Sequence, residues 1–228
     1  PGDGTTWDAL DIAKNSATAD PWVSMLVVHR EVWLFGTQNG QIWTDTGNLD
    51  QPFEMAPGSV MHQGVIAPFT LQRCDNSSFW VGQNDQGRCV VFRANGYTPT
   101  RISTHAVEWQ IQQYGNLSDA IGYTYQQDGH AFYVLIFPSA NTTWVFDVAT
   151  SMWHERAAFV NGSFTRHRSN CQMSFNNEIV VGDHEVGNIY AFDLNVFTDD
   201  GAVQKWLRSW RAIPTGQNDL KRSAQHSL

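Results

Sequence analysis

The sequence has no apolar run long enough to cross a membrane. Its longest apolar stretches, SMLVV at 24–28 and AFYVLIF at 131–137, are far shorter than the roughly 20 residues that a membrane-spanning helix needs. The first residues carry neither a basic start nor an apolar signal core. The chain begins with Pro1 rather than methionine, so we expect a piece of a longer protein, with any targeting signal upstream. No membrane partner is predicted.

Cysteine is too scarce for a disulfide framework or a zinc site. Cys74, Cys89 and Cys171 are an odd number and have no metal-type spacing, so they are interpreted as free thiols in a reducing compartment. The eight histidines form no metal motif either. The run Asp183-His184-Glu185 places adjacent side chains on opposite sides of a strand, where they rarely converge on one ion. The sequence therefore predicts no metal site and no cofactor.

The familiar catalytic motifs are also missing. The chain contains no G-x-S-x-G elbow, no phosphate-binding P-loop and no G-x-G-x-x-G dinucleotide motif. A glycosidase would need two carboxylates facing one cleft, but most candidates lie in predicted turns, where aspartate is a common turn residue. We therefore predict no catalytic residue and a protein that is not an enzyme.

Positive charge is in short supply except near the C-terminal end. Fourteen basic against 22 acidic residues give a net charge of −8, which argues against general binding to DNA or acidic membranes. After residue 201, five basic residues face one acidic residue. This segment is either a solvated tail or a contact for an acidic partner. The candidate partner-contact residues are Lys205, Arg208 and Arg211.

What the chain does contain is a repeat of short apolar runs bounded by turn residues. Each copy has an apolar run, a glycine or proline break, a polar turn and a second alternating run, which is typical of a β-hairpin. The breaks are Gly36, Gly82, Pro138 and Gly182, at spacings of 46, 56 and 44. The four copies are 32–47, 79–96, 132–153 and 179–195. A period near 50 predicts an all-β, propeller-like array of about four to five four-stranded blades.

The repeat also predicts how the chain is divided. We expect a lead-in segment at 1–23, a propeller domain at 24–215 and a polar tail at 216–228. The repeats within the propeller are expected at approximately 24–69, 70–120, 121–172 and 173–215.

Tryptophans recur in the predicted strands. Because tryptophan buries a large area, such residues fill the wedge between adjacent blades. The predicted blade-packing aromatics are Trp33, Trp80, Trp144 and Trp153. Three other tryptophans are interpreted as exposed, namely Trp43, Trp109 and Trp206.

One stretch predicts a helix, near 104–114. Val107, Ile111 and Tyr114 have helical spacing, and Ser103 or Thr104 precedes them as a cap. Arg101 precedes this cap, and Glu108 is expected to be a salt-bridge or capping partner. We therefore interpret Arg101, Thr104 and Glu108 as a structural clasp.

Several phrases occur in an order that resembles one viral family. The most specific are R-I-S-T-x-x-x-E at 101–108 and G-H-x-F-Y at 129–133, within a series of phrases that runs from 3–13 to 180–193. The order is similar to that of the packaged-DNA stabilisation proteins, the tail hub or nozzle of short-tailed bacteriophages and prophages.

The resemblance implies a virion structural protein made in the bacterial cytoplasm. Such a tail protein attaches beneath the portal and adaptor, closes the channel on the packaged DNA and carries the needle or tailspikes. It implies a ring of subunits for the full-length protein and no sequence-specific contact with nucleic acid. This piece is shorter than a full hub protein, so ring formation by the piece alone stays open.

Two other interpretations remain open from the residues. The ten tryptophans also suit a carbohydrate-binding or carbohydrate-cleaving propeller, in which exposed rings stack on sugars. A cellular kelch-like or WD-like adaptor is the third, although the period is slightly long and no signature dipeptide repeats.

Overall fold

A computed structural model describes residues 19–48, 51–84 and 87–209 of the chain. Regular structure in these residues is mostly antiparallel strand, joined by short turns in chain order. Residues 1–18 of the predicted lead-in and the whole predicted tail at 216–228 lie outside the described residues.

The first two sheets are built from consecutive strands. The first contains β1 (Ser24–Val28), β2 (Glu31–Phe35), β3 (Gly40–Asp45) and β4 (Phe53–Met55). In the second sheet, two short strands pair with the same long strand, and a turn of 3₁₀ helix at Pro68–Thr70 separates them. Its strands are β5 (Gly64–Val65), β6 (Gln72–Cys74), β7 (Ser77–Asn84), β8 (Gly87–Asn95) and β9 (Thr98–Arg101).

The second half of the chain repeats this plan. The third sheet contains β10 (Ile121–Gln127), β11 (His130–Phe137), β12 (Thr142–Asp147) and β13 (Met152–Glu155). A separate hairpin follows, formed by β14 (Ala157–Val160) and β15 (Ser163–Arg166). The fourth sheet contains β16 (Ser169–Phe175), β17 (Glu178–Asp183) and β18 (Ile189–Ala191). A last hairpin contains β19 (Thr198–Asp199) and β20 (Ala202–Val203).

The four hairpins predicted from the repeat are confirmed. They are β2–β3, β7–β8, β11–β12 and β17–β18, all antiparallel. The four sheets begin at Ser24, Gly64, Ile121 and Ser169. The repeat boundaries drawn from the sequence stay a prediction.

Two-residue turns lead into the first strand of each predicted hairpin, namely β2, β7, β11 and β17. They lie at 29–30, 75–76, 128–129 and 176–177, and both residues of each turn have positive φ. This geometry matches the right-handed twist of the flanking strands, and it favours Asp, Asn and Gly. Three of the turns use those residues, whereas His29 and Arg30 hold φ values of 54° and 66°.

The inner strands of the sheets lie side by side. β1 contacts β6, β6 contacts β10, and β10 contacts β16. Side chains connect neighbouring sheets at this level: Thr124 donates to the carbonyl of Arg73 at 2.9 Å, and the hydroxyls of Tyr123 and Ser169 are 2.6 Å apart. The sheets are therefore arranged around a common axis as the blades of a propeller are, and the predicted fold class is confirmed.

Each seam between adjacent sheets contains its own apolar core. Successive residues of a strand point to opposite faces, so one strand feeds two seams. On β7, Trp80 packs toward the first sheet and Phe79 toward the third. On β11, Tyr133 packs toward the second sheet and Val134 toward the fourth. Because both faces of these strands are buried, their sequences are continuous apolar runs.

In the part of the chain that the structure describes, one α-helix interrupts the strands. The helix α1 (His105–Gln112) follows β9 and contacts β8. Val107 and Ile111 are buried on one face of the helix, one turn apart. They join the apolar core of the seam between the second and third sheets, which we call the second seam. The predicted short helix near 104–114 is confirmed.

Candidate interaction surfaces

A polar cleft lies where the inner strands of the second, third and fourth sheets meet. It encloses about 900 Å³, and its walls come from these strands and their turns. Its lining includes Arg73, Asp75, Thr124, Gln126, Asp128 and Gln172. Both charge signs and neutral amides are present, so the cleft suits water and polar groups. In the described residues, no three His, Cys, Asp or Glu side chains are placed to hold a metal ion.

A second cavity of about 440 Å³ lies in the seam between the third and fourth sheets. The guanidinium of Arg156 lies 5.6 Å from the ring centres of both Tyr125 and Phe192. Arg168 lies 3.4 Å from a carboxylate oxygen of Asp183. The cation–π contacts of Arg156 therefore join the third and fourth sheets beside the apolar core of their seam.

His167 lies beside these arginines. Burial, followed by the nearby charges of Arg156 and Arg168, lowers the pKa of His167 to about 3. Burial is the larger cause, and the two guanidinium groups add to it. The backbone N–H of Ser169 donates to His167 Nδ1 at 3.2 Å, which requires that nitrogen to be unprotonated.

The three residues interpreted as a clasp lie together at the start of α1. Arg101 Nε donates to Glu108 Oε1 at 2.6 Å, and Ser103 Oγ donates to the same oxygen at 2.5 Å. The Thr104 hydroxyl accepts from the backbone N–H of Val107 at 3.4 Å, as an N-cap does. Glu108 is buried, whereas the Arg101 side chain is 44% exposed. The group therefore connects the end of β9 to the first turn of the helix.

The predicted blade-packing tryptophans occupy two kinds of place. Trp33 and Trp80 are buried in the seam between the first and second sheets, where Trp80 lies 4.9 Å from Phe35, centre to centre. Trp144 and Trp153 are partly buried beside the second seam, and the indole N–H group of each donates a hydrogen bond. Trp153 Nε1 donates to the carbonyl of Ile102 at 2.9 Å, and Trp144 Nε1 donates to a tyrosine hydroxyl.

The interpretation of exposed tryptophans was right for two residues and wrong for one. Trp109 and Trp206 are 62% and 71% exposed. Trp43 is only 7% exposed, and its Nε1 lies 3.4 Å from the side-chain oxygen of the buried Gln41. All residues from Gly40 to Trp43 in its strand, β3, are buried, so both faces of this part of the strand are covered and the alternating pattern does not mark a solvent-facing side.

Two of the three candidate partner-contact residues are described. The Lys205 ammonium lies 3.9 Å from the ring centre of Phe159, and Arg208 lies 5.7 Å from the ring of Trp206. Both residues are exposed. Arg211 lies outside the described residues. The basic segment therefore remains on the surface, with Lys205 resting on the hairpin that precedes the fourth sheet.

Sequence reasoning missed Asp20. Its carboxylate accepts from the backbone N–H groups of Thr37, Gln38 and Asn39 at 2.7–3.0 Å, and from the Thr37 hydroxyl. A Cβ placed on Gly36 would come within 2.3 Å of this carboxylate. Asp20 therefore fixes the turn between β2 and β3 to the segment before β1. An aspartate 17 to 19 residues upstream of a turn gives no periodic signal that could have identified it.

Two faces of the array are apolar and exposed. On the far side of the fourth sheet, cross-strand register places Met173 opposite Val180 and Val180 opposite Ala191, and the neighbouring Phe175 is 64% exposed. On the far side of the first sheet, the exposed apolar residues are Met25, Val27, Phe53 and Met55. Contiguous apolar surface of this kind marks a protein contact more often than a small-molecule site.

A further apolar surface lies at the outer rim, between α1 and the edge strand β13. This surface, the rim groove, encloses about 800 Å³. Its main residues are Trp109, Trp144, Met152, Trp153 and Glu155.

Comparison with known proteins identifies a family. A family model described as Bacteriophage P22 Gp10, beta-propeller, matches residues 2–197. No curated protein matches the chain. No helix in the described residues is long and apolar enough to cross a membrane.

Proposed function

The chain belongs to the phage stabilisation family described as Bacteriophage P22 Gp10, beta-propeller, and from this premise we propose that it is a component of the tail hub. In this role it completes the head after packaging, closes the portal channel on the DNA and provides a platform for other tail proteins. The family gives the chain a structural role in phage. The position in the tail, the channel closure and the platform are our proposal.

The observation that supports this role is the pair of apolar end faces. Met25 and Val27 on the first sheet, and Met173 and Phe175 on the fourth, leave apolar side chains in water. Each internal seam of the array buries such side chains against another sheet. A protein that works inside a larger assembly keeps such faces for its neighbours, whereas an isolated soluble domain rarely exposes them.

The net charge of the chain is compatible with a position in the wall of the DNA channel. Each phosphate that a protein neutralises adds salt-dependent affinity, and a wall that gripped the genome would slow its ejection. The net charge of −8 disfavours such grip. We therefore propose protein partners, on the portal or adaptor side and on the needle or tailspike side, in a ring formed by the full-length protein. The proposal includes no enzymatic activity, no cofactor and no sequence-specific contact with nucleic acid.

Quantitative mass spectrometry of purified phage particles tests this proposal. Peptides of this chain are expected in particles at a fixed ratio to portal peptides. Particles from a phage that lacks the gene are expected to package DNA and then lose it, measured as nuclease-sensitive DNA after packaging. If the gene is expressed but its peptides are absent from particles, the proposed role is wrong.

A carbohydrate-binding role is the second candidate. Trp109 and Trp206 are exposed, and an exposed indole ring can stack on the apolar face of a sugar. A glycan panel with the purified chain tests it, and binding that is lost in Trp109→Ala would support it. If no glycan binds and none is hydrolysed, this candidate is removed.

A further inference from the structure

The rim groove has the features of a site for an extended polypeptide. Trp109 is 62% exposed and Met152 is 65% exposed, and both stand at the mouth of the groove. Trp153 forms part of the wall of the groove. Its indole N–H donates to the carbonyl of Ile102, which holds the ring in place. The groove therefore exposes a broad apolar surface supported by rigid secondary structure.

The strand beside the groove has an open edge. β13 is the last strand of the third sheet and pairs with β12, and no other described strand pairs with it. The backbone N–H of Arg156 donates to the carbonyl of Thr143 at 2.9 Å, so these two residues form a hydrogen-bonded pair. Hydrogen-bonded and non-hydrogen-bonded pairs alternate along an antiparallel ladder. The pairs Trp153/Phe146 and Glu155/Trp144 are therefore the non-hydrogen-bonded ones, and the backbone groups of Trp153 and Glu155 point away from β12. These groups can accept one more strand.

The groove also has an unbalanced negative charge. Glu155 takes part in none of the ion pairs of the described residues. Glu155 is exposed, yet desolvation by the groups around it raises its pKa, so a cation close to it would favour its ionised form. A partner that inserts an apolar side chain and brings a cation close to Glu155 would complete the site.

The chain itself contains a segment with that chemistry. Residues 204–208 are exposed and form neither strand nor helix, and Trp206 and Leu207 are 71% and 79% exposed. In an extended segment Trp206 and Arg208 point to the same side, and the guanidinium of Arg208 does lie over the Trp206 ring at 5.7 Å. Lys205 points to its own hairpin, where it contacts Phe159. One side of the segment thus offers an indole and a cation together.

We propose that the rim groove of one copy binds residues 204–208 of a second copy, which add to the open edge of β13. Trp206 enters the groove beside Trp109 and Trp153, and Arg208 pairs with Glu155. The contact is heterologous, because the groove and the segment are different parts of the chain, so repetition around an axis generates a ring. This inference deepens the proposed hub role by specifying how copies meet.

Sedimentation velocity of the purified chain, over a concentration series, tests this contact. The wild type is expected to self-associate. Trp206→Ala and Trp109→Ala are each expected to weaken association by at least about tenfold, because buried tryptophans dominate such interfaces. Both residues are exposed in the single chain, so circular dichroism should show that the variants remain folded. Phe69→Ala removes a ring that is 68% exposed and lies outside the rim groove and both apolar faces, so it is the matched control and should associate like the wild type.

A charge swap makes the test specific. Glu155→Arg and Arg208→Glu should each weaken association, and the double variant should restore it. A labelled peptide AVQKWLR, residues 202–208, should bind the Trp206→Ala protein and not the Trp109→Ala protein.

Several results would overturn the proposal. They are a wild-type chain that stays monomeric throughout the series, a charge swap that does not restore association, or equal weakening in the Phe69→Ala control. Binding of a glycan in the groove without binding of the peptide would assign the groove to sugars instead. Because the readout uses purified protein, its failure is distinguishable from absence of the chain from phage particles.

Discussion

The side chain of Asp20 holds one turn of the first sheet in place. Its carboxylate satisfies three backbone N–H groups of the turn between β2 and β3. We predict that Asp20→Ala lowers the free energy of unfolding by about 2–3 kcal/mol, since three partly buried backbone donors lose their acceptor. Chemical denaturation measures this loss. Glu54→Gln, which removes an exposed carboxylate from β4, should stay within about 0.5 kcal/mol of the wild type.

The same residue gives a dependence on pH. Burial raises the pKa of Asp20, but the hydrogen bonds from Gln38, Thr37 and Asn39 outweigh it, so the pKa lies below its usual value. The stabilisation is complete above the unfolded pKa and is lost as the pH falls through the folded pKa. Asp20→Ala should therefore lose its disadvantage relative to the wild type in acid. Equal differences at neutral and acid pH would contradict this account.

His167 predicts a second acid effect. Its pKa of about 3 in the folded chain lies below that of a histidine in an unfolded chain, so the unfolded state binds its proton first. The stabilisation from neutral His167 is complete above about pH 6.5 and falls by about 1.4 kcal/mol per pH unit until the folded pKa is reached. NMR titration should show the ring neutral at pH 5.

A substitution separates His167 from the other acid-sensitive groups. His167→Asn removes the titrating ring, so the stability of this variant should depend less on pH between about 6 and 4. His105→Gln, at a highly exposed position in the first turn of α1, is the matched control. Parallel stability curves for the wild type and His167→Asn would show that His167 does not cause the effect.

The clasp belongs to the scale of one element, because it connects β9 to α1. Glu108 is buried and Arg101 is 44% exposed, so the two partners are not equivalent. Loss of Arg101 leaves a buried carboxylate without its cation, whereas loss of Glu108 leaves a guanidinium that water can solvate. We predict that Arg101→Ala destabilises the chain by about 2 kcal/mol and Glu108→Gln by about 1 kcal/mol.

A double-mutant cycle in urea measures the coupling of Arg101 and Glu108. The two single losses should not add in the double variant, because both remove the same pair. Additive losses, or a larger loss from Glu108→Gln than from Arg101→Ala, would mean that the pair does not stabilise the start of the helix.

The secondary structure elements show which parts of the fold could be predicted from the sequence. Hairpins were predictable because glycine and asparagine turns alternate with apolar runs, and α1 was predictable because Thr104 precedes residues at helical spacing. The hairpin β14–β15 was not distinguished from the blades, since Asn161 and Gly162 give the same turn signal as any other hairpin. Asp20 and Trp43 were missed because their environments are formed by residues distant in sequence.

At the scale of the whole molecule, the array exposes two apolar faces and a basic segment. Such surfaces favour contact with neighbouring proteins. In the assembly that we propose, the apolar faces would provide binding free energy, and the basic segment would affect which partner binds and how fast. Opposite charges at an exposed contact are screened by salt, so a contact through the basic segment should weaken as ionic strength rises. The apolar faces should respond much less.

The basic segment gives the prediction for assembly. Replacing Lys205, Arg208 and Arg211 with Gln should lower incorporation of the chain into particles with little change in its melting temperature, because the two described residues are exposed and each contacts a single aromatic ring. A charge-keeping variant, with Lys205→Arg, Arg208→Lys and Arg211→Lys, should be incorporated normally. Unchanged incorporation of the Gln variant would show that these charges contact no partner. If incorporation falls while self-association of the purified variant persists, the acidic partner is another tail protein rather than a second copy.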